Sequence, residues 1–78
     1  MQEFEIELHS FRQVQDFVIL AGQQPFDIRA GNSWQDINGK DLMGMFSLDY
    51  SRPVRIRMEC SQEAFHTFQQ EVCQFLAK

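Results

Sequence analysis

Apolar residues recur with two different periods along the chain. In "EFEIEL", residues 3–8, Phe4, Ile6 and Leu8 alternate with Glu3, Glu5 and Glu7, the period of a strand with one face buried and one in water. Ser10 then reads as an N-cap with Gln13 three residues on, and Phe11, Val14, Phe17, Val18 and Ala21 recur at helical spacing up to Gly22, a residue suited to a helix C-terminus. After "QQP" the pattern alternates again in "FDIRA"; Gly31-Asn32 and "SWQDI" predict a hairpin partner that ends at Asn38-Gly39.

The stretch "DINGKDLMGMFSLD", residues 36–49, is harder to place, because it sets a very apolar run behind a turn signal. Asp41 can cap a short helix there, contributing about 1 kcal/mol through its carboxylate and its favourable place at the positive helix end. "DYSRP" breaks that helix, and "VRIRME" follows as the clearest strand, with Val54, Ile56 and Met58 inward and Arg55, Arg57 and Glu59 outward. Ser61 caps a last helix whose Phe65, Phe68, Val72, Phe75 and Leu76 form one stripe. The order β-α-β-β-α-β-α with cleanly alternating strands predicts an α+β open-faced sandwich: a four-stranded antiparallel sheet with its helices on one face.

Length and composition narrow the function classes. A chain of 78 residues has room for one core and buries only about 60–65% of its unfolded surface, so residues 1–78 read as a single domain. The longest apolar run, "FVILA", falls far short of the roughly 18 residues of a membrane span. The N-terminus alternates acidic and apolar residues where a secretory signal has basic residues and then an apolar block; a cytoplasmic protein with no membrane partner is expected. A net charge of −4 argues against nucleic acid, whose phosphates call for clustered Lys and Arg. Cys60, Cys73, His9 and His66 lack ligand spacing, and Cys60 and Cys73 read as structural thiols of a reducing compartment. No metal and no cofactor are expected. About seven of the eight Phe fall at strand or helix periods and read as core.

The run after Asp41 carries a resemblance. "INGKDLMGMFSL" is similar to the region of HPr, the histidine-containing phosphocarrier of the bacterial sugar phosphotransferase system, that holds the family's regulatory serine and short docking helix, approximately "KSIMG-MSL". The predicted element order agrees with that family over the whole chain, and the family's sheet order implies that the first and fourth strands are neighbours, with Glu3, Glu5 and Glu7 facing Arg55 and Arg57. The resemblance places the regulatory serine position on Asp41, which has no hydroxyl for a kinase, and the docking residues on Leu42, Met43 and Phe46. The family's other motif, G-x-H-x-R-P at the start of the first helix, meets "LHSFRQ": Ser10 falls at the phosphorylatable histidine, Arg12 at the arginine, Gln13 at the proline and Leu8 at the glycine, with His9 one residue early. Arg12 is the anion-binding candidate, or a plain solvated charge. The resemblance thus implies an HPr-like regulatory or protein-binding module without the usual phosphohistidine, not an enzyme, with phosphotransferase-system or regulatory proteins as partners. The alternatives are an active phosphocarrier accepting phosphate on His9, and a small-ligand-binding domain with a pocket behind the sheet or near Trp34. A short helix cannot bury all of Leu42, Met43, Met45, Phe46 and Leu48, so this run is expected to be half core and half contact surface.

Overall fold

The computed structural model describes residues 2–32 and 35–76; Trp34 lies outside the described residues. These residues form β1 (Gln2–Ile6), α1 (Phe11–Gly22), β2 (Ile28–Gly31), β3 (Asp36–Asn38), α2 (Leu42–Phe46), β4 (Val54–Met58) and α3 (Gln62–Glu71), followed by a 3-10 turn at Cys73–Phe75. The strands make one antiparallel sheet in the order β1-β4-β2-β3. Ile6, Ile28, Ala30, Val54, Ile56 and Met58 point from it into a core closed by Val14, Phe17, Ala21, Met45, Phe68, Val72 and Phe75. Phe68 is the hub, with the rings of Phe4, Phe17 and Phe26 each within 6.3 Å of its centroid. The other sheet face carries Glu3, Glu5, Arg29, Asp36 and Arg55, all exposed, so the architecture is an open α+β sandwich, helices on one side.

Local chemistry explains the element ends. Ser10 Oγ accepts from Gln13 N at 3.2 Å, while Gln13 Oε1 accepts from His9 N at 2.7 Å, a reciprocal cap displaced by one residue from the usual box. α1 stops at Gly22 as expected, but no glycine adopts positive φ. Gln23 N and Gln24 N instead bond back to Leu20 and Ala21 carbonyls, and Pro25 prevents continuation. Phe11 departs from the expected stripe and is 78% exposed, because on a 3.6-residue helix it lies roughly a quarter turn from the direction shared by Phe17 and Ala21. Gly31 has a steric duty: a Cβ there would stand 1.9 Å from the Gln35 carbonyl oxygen, the same oxygen that accepts from Asn32 N to close the hairpin.

Ser61 Oγ accepts from Ala64 N at 3.1 Å and starts α3 as expected. The final stripe is not one continuous helix, however. Val72 leaves helical geometry (φ −106°, ψ 18°), and the tighter turn after it brings the Phe75 carbonyl to Glu7 N at 2.6 Å and Leu76 into a bridge with Ile6. The edge of β1 thus supplies a backbone partner that continued helix would forgo.

β1 and β4 are neighbours in the expected register, with Glu3 opposite Arg57 and Glu5 opposite Arg55. The expected Glu–Arg pairing needs correction. Arg57 also stands opposite Arg29 on β2, a like-charge placement that is unfavourable alone, and both guanidinium groups converge on one Asp36 oxygen, at 2.6 and 3.3 Å. The Arg29 hydrogen bond, with the charges of both arginines, holds the Asp36 carboxyl below the usual carboxylate range. Glu7 lies past the end of β1, 3.6 Å from the His9 ring.

Candidate functional site

The sequence-derived site residues fall on α1 and α2, which run antiparallel. At one end Phe11, on the first turn of α1, meets Phe46, on the last residue of α2, edge to face with ring centroids 5.4 Å apart. Toward the other end Lys40, two residues before α2, extends its ammonium to the Gln24 carbonyl beyond α1, at 2.7 Å. α2 can lie close on β3 because Gly44 faces it: a Cβ at this position would be 2.7 Å from Ile37 Cγ2. Met45 then enters the core with no exposed surface, and the Tyr50 hydroxyl donates to its carbonyl. Burial of that phenol pushes its pKa up to about 12.

With Met45 pointing in, helical geometry turns Met43 and Phe46 outward. Met43 is 76% exposed and Phe46 38%, whereas Leu42 is half-buried. The four large apolar side chains that stand out of the described surface are Phe11, Ile19, Met43 and Phe46, and all four belong to these two helices. Phe11 and Ile19 were not among the expected contact residues. Ile19 could have been found, since it sits two positions from Phe17 and so faces away from the core; Phe11 could not, because a position at the margin of the stripe is decided by what packs beside it.

Asp41 stands at the N-cap of α2 in extended geometry, but its side chain makes no capping hydrogen bond. This corrects the expected cap. The carboxylate lies over Gly44, whose Cβ would come within 3.0 Å of Asp41 Oδ2, and the backbone alone closes the turn, Met45 N donating to the Asp41 carbonyl at 2.9 Å. Asp41 therefore presents an exposed negative charge. At the other end of the patch Ser10, His9 and Arg12 are all exposed. Ser10 occupies its hydroxyl oxygen as the α1 cap, and His9 donates its backbone N–H to Gln13 and has its ring near the Glu7 carboxylate.

Elsewhere the chemistry is sparse. Two shallow clefts lie on the open sheet face, one lined by Glu3, Glu5, Arg55 and Arg57 and the other by Phe26, Arg29, Asp36 and Glu59 among others. Cys60 is half-buried, its thiol pKa raised by that burial, and Cys73 is exposed. Among the described residues no three His, Cys, Asp or Glu side chains gather as a metal site, and no helix is long and apolar enough to cross a membrane. No family model matches the chain, and no curated protein matches it.

Proposed function

We propose that the chain is an HPr-like, protein-binding or regulatory module of the bacterial phosphotransferase type that works without the family's phosphohistidine, using the α1–α2 face to dock a protein partner. The observation that carries this reading is the concentration of exposed apolar side chains on that face. Monomeric soluble proteins seldom leave such groups clustered unless a partner covers them, and Met and Phe are well suited to adaptable contact surfaces. The resemblance to HPr is supported by the adjacency of β1 and β4 and by the short α2 that carries Met43 and Phe46 at the docking positions. Ser10 at the acceptor position is a helix cap, not an imidazole.

Incubation with phosphoenolpyruvate and the system's Enzyme I tests the reading. No acid-labile phosphate should appear on the chain. A phosphohistidine at His9, whose side chain is exposed, would establish the alternative of an active phosphocarrier. The serine kinase of the pathway should leave the head of α2 unlabelled, because Asp41 offers no hydroxyl; label on Ser47, whose Oγ donates to the Gly44 carbonyl at 2.6 Å, would mean that the regulatory position lies elsewhere.

A further inference from the structure

We infer that the α1–α2 face is self-complementary and that a second copy of the chain docks on it about a two-fold axis normal to the patch, an inference that rests on reading this face as a contact surface. The argument begins with direction. Because α1 and α2 are antiparallel, the N-terminal turn of α1 with Arg12 and the head of α2 with Asp41 lie toward opposite ends of the exposed apolar strip. Both side chains are exposed, and among the described residues neither has an ion-pair partner within its own molecule. Of the nearby charges, the Lys40 ammonium bonds to the Gln24 carbonyl, the Asp49 carboxylate accepts from the Ser51 N–H and hydroxyl, the Glu7 carboxylate lies beside His9, and Asp16, one turn beyond Arg12 on α1, is half-buried.

The strip is thus cationic at one end, anionic at the other and apolar between. Rotation by half a turn brings Arg12 to Asp41 of the second copy and Asp41 to Arg12 of the second copy, which is the condition for an isologous contact. The same rotation lays the Phe11–Phe46 ring pair against Met43 of the second copy, a favourable sulfur–aromatic combination. It also brings Asp41, whose carboxylate caps nothing on its own helix, to the positive end of α1 in the second copy. Stacking two copies in parallel would instead oppose like charges. The strip holds four large exposed apolar side chains, few beside the roughly 20–30 residues a side of a standard stable interface, so the dimer is weak and its population follows concentration.

Sedimentation equilibrium of the whole chain, at low salt and from about 10 μM to about 1 mM, spans the range of such weak complexes. The weight-average mass should rise from 9.2 kDa toward twice that value. Arg12→Asp and Asp41→Arg, each alone, should weaken association by about tenfold or more, whereas the two combined in one chain should restore it. Met43→Ser should hold the protein at monomer mass. A wild-type mass that stays at 9.2 kDa throughout, growth beyond the dimer, or a double variant as weak as the single ones would overturn the two-fold arrangement. None of those results would bear on heterologous docking, which the stability of Met43→Ser and the phosphotransfer assay address separately.

Discussion

The molecule turns two broad faces to water, and they handle exposure in opposite ways. The open sheet face is polar throughout, and its like-charged neighbours Arg29 and Arg57 are reconciled by one shared carboxylate from β3. The outer face of α1 and α2 carries four uncovered apolar side chains and two exposed charges, Arg12 and Asp41, with no ion-pair partner among the described residues. What separates the faces is composition: the first is charged and joins Arg29, Arg57 and Asp36 across neighbouring strands, while the second leaves large apolar side chains uncovered. A protein of this size has little stability to spare, which makes an uncovered Phe11 and Met43 more telling than they would be on a large domain.

The layer between the faces sets the scale for any comparison. Phe68→Ala, which removes the ring that Phe4, Phe17 and Phe26 share, should cost about 3–5 kcal/mol in a denaturant titration. Phe46→Ser should cost far less, about 1 kcal/mol, since the side chain is already partly in water and loses mainly its edge contact with Phe11. A loss near that of Phe68→Ala would move Phe46 into the core and shrink the contact face.

The helix caps sharpen the contrast further. Ser10→Ala and Ser61→Ala each remove a side-chain acceptor from a helix N-terminus and should cost about 1 kcal/mol. Asp41→Ala, removing no such bond, should change stability by no more than about 0.5 kcal/mol. If Asp41→Ala costs as much as the serine changes, the carboxylate is a structural cap and not a free charge.

The effect expected on the sheet face depends on pH. The Asp36 pKa is lowered in the fold, so its contribution is present above the unfolded-state value and is lost as pH falls through the folded one. Asp36→Asn should therefore flatten the acid limb of the stability profile below about pH 4. At neutral pH it should cost at most about 1 kcal/mol, because the group is half exposed and screened by solvent. An unchanged acid limb would show that the shared carboxylate contributes nothing beyond its geometry.

Much of the fold was legible in period and punctuation. Alternation in "EFEIEL" and "VRIRME" set the faces of β1 and β4, and Ser10 and Ser61 marked helix starts that their hydroxyls do cap. What sequence could not supply were choices settled by three-dimensional competition. Arg57 chose Asp36 over Glu3 because Arg29 lay opposite it. The last stripe broke at Val72 because the Glu7 N–H just past the end of β1 offered the Phe75 carbonyl a partner. Asp41 occupied the cap position without capping, since its side chain folded over Gly44. For the candidate site, the division of α2 into a core half and an open half could be argued from its length and the outward turn of Ile19 from its spacing to Phe17, but the addition of Phe11 required knowing that α2 lies alongside α1.

The claim that the outer face of α2 is held open for contact is tested most directly by paired thermal melts of Met43→Ser and Met45→Ser, two identical changes two residues apart on one short helix. Met45, with no exposed surface, should lose at least about 2 kcal/mol, a fall in Tm of roughly 8–16 °C for a domain this small. Met43, 76% exposed, should stay within about 0.5 kcal/mol, a change of roughly 2–4 °C. Equal large losses at both positions would make the whole helix core and leave the α1–α2 face with nothing to offer a partner.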